Sequence, residues 1–354
     1  MSEIVTKVSM YELEHELKKE KLLEEKARRD HKKSIQSQLD GYNLKDIVAK
    51  KGGNNALKQI GSLEKDAVLI KKSVEFLNPT LSSMCPLAPG ALYLVCAPSG
   101  TGKSTVSAAV AHSLFKQNKK CFVISNEETQ AKVLARIACA EVGVDFQEYI
   151  QGNVPPLQRK LIAIEIKNIE PWVTVADEVL GSTTVESVEK LLHEVDEDGS
   201  YSCIVVDFFQ RVAKSAKNPM MERAMVLYDF KDMITDYAQH AKTPVILMAQ
   251  LRPHSQEDQD RNVEDRIKWC KGIYEAAASV VEVIKVRGLP VSNFYIAKGR
   301  FSKADITISC LYEHGKFSFL PKKDLADLKI KYQSQALAEM VSGMTDFNQE
   351  SLDE

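Results

Sequence analysis

The sequence predicts an α/β fold with a mostly parallel central sheet that is flanked by helices. Three observations lead to this prediction: short β-rich apolar runs alternate with helical stretches, most runs are apolar along their whole length, and a glycine-rich turn joins the first run to a helix. Strands that are apolar throughout are typical of a parallel sheet buried on both faces. With 354 residues, the chain is long enough for one such domain and additional segments.

The predicted strands are short and follow one another along the middle of the chain. They cover residues 91–97, 120–125, 172–177, 203–209, 244–250, 280–286 and 294–300. The last of them is expected to form an antiparallel hairpin with residues 305–312, because only a short turn separates the two. Helical stretches over 105–117 and 224–241 lie between strands, as the crossover connections of a parallel sheet require.

Changes in composition divide the chain into three parts. Residues 1–65 are dense in charges of both signs at helical spacing and are predicted to be a helical arm or linker. Residues 66–322 form the predicted α/β domain, and residues 323–354 form a helix and an acidic tail. The thin leucine stripe of the arm leaves two hypotheses open: an exposed helix, or an arm that packs on a neighbouring subunit.

Composition excludes several classes of protein. The 47 Lys and Arg residues nearly balance the 49 Asp and Glu residues, which excludes a globally basic nucleic-acid binder but not a local basic groove. No apolar run approaches the ~18 residues of a membrane span, and the N-terminus lacks the apolar core of a signal peptide. Seven scattered cysteines, several within apolar runs, predict reduced cysteines in the core of a cytoplasmic protein.

The glycine-rich turn matches the phosphate-binding P-loop, with alanine in the first glycine position. Its residues are Ala97, Pro98, Ser99, Gly100, Thr101, Gly102, Lys103, Ser104 and Thr105. The glycines let the backbone curl so that successive N–H groups point at phosphate oxygens, and the following helix adds its positive N-terminal end. Lys103 is expected to bind the β- and γ-phosphates, and Ser104 to bind Mg²⁺. The motif therefore predicts ATP and Mg²⁺ as ligands.

Three further polar residues follow predicted strands and are candidates for catalysis. Asp207 ends an apolar run and is expected to hold Mg²⁺ through water, as a Walker B carboxylate does. Glu127, preferred here to Glu128, is placed to polarise the attacking water. Gln250 ends another run, and its amide is expected to sense the γ-phosphate. Because ligands of open α/β sheets gather at the carboxyl ends of strands, one site can collect all of these residues.

The order of five segments resembles a known family. APSGTGKST, SNEE, IVVDFFQ, ILMAQLRP and AKGRF follow one another as in the RecA-like motor domain of DnaB-type hexameric replicative helicases, particularly the compact phage versions. The resemblance covers about residues 85–320 and implies a RecA-like P-loop NTPase fold. It also implies that Ala97 is acceptable in the P-loop, that Glu127 is the catalytic glutamate, and that Asp207 and Gln250 are the Walker B and sensor residues.

The resemblance implies a further pair of site residues, Lys298 and Arg300. In the family such a basic pair reaches the γ-phosphate of the neighbouring subunit, so that the complete site exists only in a ring. A trans-acting arginine typically contributes roughly 10³–10⁵ in rate. Taken without the resemblance, the two residues also fit a solvated basic pair at the edge of the sheet. The implied assembly is a homo-oligomer, namely a hexameric ring.

Two loops are candidates for contact with single-stranded DNA. The loop after Asp207 contains Arg211, Lys214 and Lys217, and Arg252 follows Gln250. Basic side chains beside backbone amides can follow the phosphates of a single strand without recognising its bases. The acidic C-terminal tail is either a solubilising segment or a docking segment for a polymerase or primase.

The leading hypothesis is an ATP-dependent replicative DNA helicase, which couples hydrolysis to translocation on single-stranded DNA and to strand separation. If the gene is phage-encoded, the protein acts in the host cytoplasm. One alternative is a RecA-like recombinase or recombination mediator that forms filaments. Another is a signalling ATPase of the same fold that binds no nucleic acid. A small-molecule P-loop kinase fits least, because the sequence has no arginine-rich lid.

Overall fold

A computed structural model describes the part of the chain that contains the predicted α/β domain. The described residues are 73–177, 183–195, 200–212, 222–252, 262–267, 270–301 and 303–334. The chain divides into two units, Met1–Ala67 and Val68–Glu354, and every described residue belongs to the second. The predicted arm of residues 1–65, the acidic tail beyond residue 334, and Lys214 and Lys217 lie outside the described residues.

The described strands form one nine-stranded sheet in the order β3-β2-β4-β5-β1-β6-β7-β8-β9. They are β1 (Leu92–Ala97), β2 (Cys121–Ser125), β3 (Val173–Ala176), β4 (Cys203–Asp207), β5 (Val245–Gln250), β6 (Ser279–Lys285), β7 (Val291–Gly299), β8 (Ile306–Glu313) and β9 (Lys316–Phe319). The first six strands in the spatial order are parallel, and β7, β8 and β9 continue the sheet antiparallel.

Helices connect and cover these strands. They are α1 (Pro79–Met84), α2 (Lys103–Lys116), α3 (Gln130–Val142), α4 (Phe146–Gln151), α5 (Pro156–Ile169), α6 (Val185–Val195), α7 (Arg223–Ala241), α8 (Val263–Arg266), α9 (Gly272–Ala276) and α10 over residues 322–334. A 3-10 turn, Phe209–Arg211, follows β4. Among the described helices, none combines the length and the apolar character that a membrane crossing needs.

The central strands are buried on both faces, as the sequence predicted. Every residue of β1, β2 and β4 is buried. Val123 and Val205 belong to one core cluster, whereas Ile204 and Val206 belong to the other, which also contains Phe230 of α7. Because alternate side chains of a strand point to opposite faces, each buried strand contributes to both clusters. The predicted α/β class, the two crossover helices and the antiparallel hairpin are therefore confirmed.

All seven cysteines are buried and none forms a disulfide, which agrees with the predicted core role. Burial raises the pKa of the Cys85 thiol to about 12 and that of Cys310 to about 11, because a thiolate is poorly solvated in an apolar core. These side chains therefore act as small apolar groups in the fold.

One strand prediction was too long. The run of residues 203–209 stops being a strand at Asp207, and the 3-10 turn begins two residues later. The side chain of Asn126 explains the change: its Oδ1 accepts a hydrogen bond from the Phe208 N–H at 2.9 Å, and its Nδ2 donates one to the Phe208 carbonyl at 3.1 Å. The amide takes both backbone groups of Phe208, and the strand ladder ends there.

The direction of the strands creates two distinct edges of the sheet. The carboxyl ends of β1, β2, β4 and β5 meet at one edge, which we call the carboxyl edge. The first residues of these strands lie at the opposite edge, which we call the amino edge. Since β7 runs antiparallel to β6, with Gly299 paired to Ser279, β7 ends at the amino edge.

Candidate nucleotide-binding site

The P-loop joins β1 to α2 at the carboxyl edge, as the motif requires. Gly100 and Gly102 have φ angles of +75° and +99°, a left-handed conformation that is strained for residues with a Cβ. Lys103 is the first residue of α2, and its Nζ donates hydrogen bonds to the carbonyl oxygens of Ala97 at 3.5 Å and Pro98 at 3.2 Å. Ala97 is fully buried as the last residue of β1, so an alanine fits the first position of the motif.

A cavity of about 600 Å³ opens over the P-loop, which is a size typical of small-molecule sites. P-loop residues 99–105 line one side, together with Glu127 and Gln250. The opposite side is formed by the connection from β6 to β7 and by Tyr312 of β8. The antiparallel extension of the sheet therefore provides a wall of the same cavity whose floor binds phosphate in other P-loop proteins.

Asp207 lies beside Ser104 at the floor of this site. The Ser104 hydroxyl donates a hydrogen bond to the carboxylate, which is only 4% exposed. Burial raises the pKa of Asp207 to about 7, although the hydrogen bond from Ser104 lowers it. Its Oδ1 atom is buried and has no hydrogen-bond partner among the described residues. A carboxylate and a hydroxyl are oxygen ligands of the kind that Mg²⁺ prefers, so these two residues fit the predicted ion.

The two neighbouring glutamates after β2 differ in their surroundings. The Glu128 carboxylate forms an ion pair with Arg136 at 2.7 Å, and only 20% of its side chain is exposed. The Glu127 side chain is 39% exposed and lies 3.8 Å from the Arg211 guanidinium. Both side chains line the cavity, but Glu128 is held by a strong partner on α3. This difference supports the choice of Glu127, whose role stays a prediction.

Two buried amides at the site were missed by the sequence analysis. Gln210 forms two hydrogen bonds with the backbone of Gln250, and Asn126 forms two with the backbone of Phe208. Both amide side chains belong to residues with no exposed surface. A signal was present, because each is a polar residue within or directly after an apolar run. The sequence does not show which backbone groups they bind.

Lys298 and Arg300 lie at the amino edge. The Arg300 N–H donates to the Ala278 carbonyl, and the Ala278 N–H donates to the Leu92 carbonyl at the start of β1. Because the P-loop follows the other end of β1, about 17 Å of strand separates Arg300 from it. Arg300 is exposed.

Lys298 is engaged within its own chain. Its Nζ donates hydrogen bonds of 2.8 Å to the carbonyl oxygens of Tyr274 and Glu275 in α9. Burial, and next the nearby charge of Arg300, lower the pKa of Lys298. The structure thus brings Lys103, Ser104, Glu127, Asp207 and Gln250 together and places Lys298 and Arg300 elsewhere.

The described residues of the predicted DNA-contact set lie near the carboxyl edge. Arg211 ends the 3-10 turn with its side chain 47% exposed. Arg252 is exposed two residues after Gln250, and its N–H donates to the Arg266 carbonyl at 2.9 Å. Both arginines therefore follow directly from elements that reach the nucleotide cavity.

Solved structures confirm the predicted RecA-like fold. One of them, described as an ATPase domain, matches with a TM-score of 0.62 at 15% identity, over 76% of this chain and 98% of that one. A second structure, "The Structure Of A DnaB-Like Replicative Helicase And Its Interactions With Primase", matches with a TM-score of 0.64 at 15% identity, over 76% and 67% of the two chains. No curated protein sequence matches the chain.

A family model identifies the chain more specifically. The model of the DnaB-like helicase C-terminal domain matches residues 80–265, which is more than half of the chain. The matched segment contains the P-loop, Glu127, Asp207 and Gln250, whereas Lys298 and Arg300 lie beyond it. The sequence resemblance is confirmed, and the chain belongs to the DnaB-like helicase C-terminal domain family.

Proposed function

We propose that this protein is an ATP-dependent replicative DNA helicase that works as a ring-shaped translocase on single-stranded DNA. Family membership supports a helicase and an NTPase. The observation that carries the finer proposal is the separation of Arg300 from the P-loop of its own chain by the length of β1. An exposed arginine at the amino edge meets a nucleotide only when a second copy presents its carboxyl edge.

Each site residue has a defined role in this proposal. The P-loop N–H groups and Lys103 bind the β- and γ-phosphates, and Ser104 and Asp207 hold Mg²⁺, whose charge offsets that of the phosphates. Glu127 orients the attacking water. Arg300 of the adjacent subunit stabilises the negative charge that develops in the transition state.

The assembly follows from the placement of these groups. A contact between the amino edge of one subunit and the carboxyl edge of the next is heterologous, and repeated heterologous contacts close into a ring when the rotation allows it. We infer a hexamer, with Arg211, Lys214, Lys217 and Arg252 of each subunit directed to DNA. Six weakly basic contributions add up to one strongly basic path, which is compatible with a net charge of −2 for each chain.

The test is a steady-state ATPase assay with and without oligo-dT, followed by strand displacement on a forked duplex. We expect turnover to rise with single-stranded DNA and the duplex to open only with ATP. An oligomeric protein whose turnover ignores DNA would contradict the proposal. Salt-dependent binding to oligo-dT distinguishes the helicase from a signalling ATPase, and closed rings rather than filaments in electron micrographs distinguish it from a recombinase.

A further inference from the structure

The turn of residues 208–211 lies between the nucleotide cavity and a proposed DNA contact. It begins with Phe208, which lines the cavity, and ends with the half-exposed Arg211. Two buried side-chain amides hold this turn from opposite sides, one from the end of β2 and one from within the turn itself.

The first amide belongs to Gln210 and binds the end of β5. Its Nε2 donates to the Gln250 carbonyl at 3.0 Å, and its Oε1 accepts from the Gln250 N–H at 3.0 Å. The backbone ladder between β4 and β5 stops earlier, at the pair of Val206 and Leu247. The amide of Gln210 therefore takes over where the ladder ends.

The second amide belongs to Asn126 and makes the equivalent pair of bonds with the backbone of Phe208. Its own N–H also donates to the Asp207 carbonyl at 3.0 Å. Asn126 directly precedes Glu127. The turn is thus bonded to the residue next to the proposed catalytic glutamate and to the proposed γ-phosphate sensor.

These bonds resist sliding more than single contacts do. A carboxamide that donates to the carbonyl and accepts from the N–H of one residue fixes both its distance and its orientation. Neither Asn126 nor Gln210 has exposed surface, so water does not compete for the bonds. A displacement of the turn is transmitted to β5 through Gln210 and to the end of β2 through Asn126.

Two other contacts connect the turn to its surroundings. The Arg223 guanidinium, at the start of α7, donates to the Gln210 carbonyl at 2.7 Å. Arg211 lies 3.8 Å from Glu127 by its Nη2 atom. Both ends of the segment between β4 and α7 therefore meet at the backbone of Gln210.

We propose that Asn126 and Gln210 are positioning residues that couple single-stranded DNA at Arg211 to the placement of Glu127 and Gln250. The inference rests on the proposed helicase function. Binding of a DNA phosphate moves Arg211 and its turn, and the two amides carry that movement to both nucleotide-contacting elements. Neither amide touches nucleotide or DNA, so its removal is expected to uncouple the two ligands while each still binds.

Gln210→Met tests the coupling, because methionine has a similar length but neither donor nor acceptor. The matched control is Gln117→Met. Gln117 makes the same pair of bonds with the backbone of Glu75, at 3.0 and 3.2 Å, but lies at the end of α2 away from the turn. Both variants lose one amide pair, and only one of them loses a link to the site.

The measurements are kcat and KM for ATP with and without oligo-dT, and the Kd of fluorescent oligo-dT in ADP and in a non-hydrolysable ATP analogue. We expect Gln210→Met to retain the basal kcat and the KM for ATP. Its DNA stimulation and its nucleotide-dependent change in DNA affinity are expected to fall by about fivefold or more, the lower end of typical coupling between sites. Gln117→Met is expected to keep both ratios at the wild-type value.

The outcomes separate this inference from the proposed function. If the wild-type enzyme shows no response to DNA, the proposed function itself fails. If the wild type responds and Gln210→Met responds equally, or if Gln117→Met loses the response to the same extent, the positioning role is wrong. Should Gln210→Met not fold, Gln210→Glu keeps the acceptor for the Gln250 N–H and loses the donor. A folded Gln210→Glu protein with full coupling also overturns the inference.

Discussion

The two edges of the sheet differ in how complete their chemistry is. At the carboxyl edge, Lys103, Ser104, Asp207 and Gln250 come from separate elements of one chain and face one cavity. At the amino edge, Arg300 ends an antiparallel strand and is exposed, and Lys298 is bound to carbonyl groups of α9. The first edge holds the groups that bind a nucleotide, whereas the second holds a cation that its own nucleotide cannot reach.

This difference teaches that binding and turnover have different structural requirements. Backbone N–H groups, a lysine and a carboxylate beside the same loop are sufficient to hold ATP and Mg²⁺. Acceleration of hydrolysis needs charge aimed at the transition state, and that charge lies at the other end of β1. A single subunit is therefore expected to bind nucleotide and an assembled one to hydrolyse it.

The largest expected effect comes from removing the cation of the amino edge. Arg300→Ala is expected to lower kcat by about 10³-fold or more, because the transition-state charge loses its partner. The KM for ATP should change little, since the P-loop is intact. Steady-state ATPase assays in saturating oligo-dT measure both constants. The control is Lys303→Ala, which removes an exposed cation three residues further along the chain and should leave kcat unchanged.

Mixing experiments test whether Arg300 acts in trans. Lys103→Ala subunits are expected to be inactive because they lack the phosphate-binding lysine, but they keep Arg300. In mixed rings, some Arg300→Ala subunits receive an arginine from a Lys103→Ala neighbour, so activity should recover in part. Absence of rescue at every mixing ratio would contradict the contrast between the two edges.

The sequence predicted what depends on local chemistry. Apolar β-branched runs such as that of β4 form strands wherever they are buried, and the P-loop needs glycines at positions with positive φ. The choice of Asp207 and Gln250 followed from one rule, that parallel strands end at one edge. The hairpin of β7 and β8 was predicted because its strands are neighbours in sequence.

The rest depends on contacts between distant residues. Helices α3, α4 and α5 and strand β9 were not predicted, and neither was the spatial order of the strands. Lys298 was predicted to reach a neighbour's phosphate, but the fold of α9 presents two carbonyl groups to its ammonium. Arg266 and Glu282 look like surface charges in the sequence, yet they are 2% and 4% exposed side chains that form one ion pair.

This buried pair gives a second prediction, which concerns the strand that joins the parallel half of the sheet to the antiparallel half. Arg266 Nη1 lies 2.8 Å from one carboxylate oxygen of Glu282 in β6 and 3.0 Å from the other. Glu282→Gln leaves the guanidinium buried without its counter-charge, so unfolding free energy should fall by about 3–5 kcal/mol. Chemical denaturation at fixed protein concentration measures it.

The matched control is an exposed pair of the same kind. Lys190 and Glu194 on α6 are 3.4 Å apart, with side chains 75% and 59% exposed. Glu194→Gln should change stability by less than about 0.5 kcal/mol. Joint replacement by Arg266→Met and Glu282→Leu is expected to recover most of the loss, because no unpaired charge remains. Equal stability of Glu282→Gln and the wild type would mean that the pair does not anchor β6.

The smallest expected effect concerns DNA at the carboxyl edge. Arg211→Ala removes one phosphate contact per subunit, so the slope of log affinity for oligo-dT against log salt should fall by about 0.7. Basal ATP binding should persist, because Arg211 meets Glu127 only through a half-exposed ion pair of 3.8 Å. Fluorescence anisotropy across a salt series measures the slope.

The comparison variant for this measurement is Lys119→Ala, which removes an exposed cation just before β2 at the amino edge and should leave the slope unchanged. Equal slopes for the two variants would show that the charge contacting DNA is not concentrated at the carboxyl edge. A difference confined to Arg211 would place the DNA on the side of the sheet that also holds the nucleotide, where a 3-10 turn connects the two.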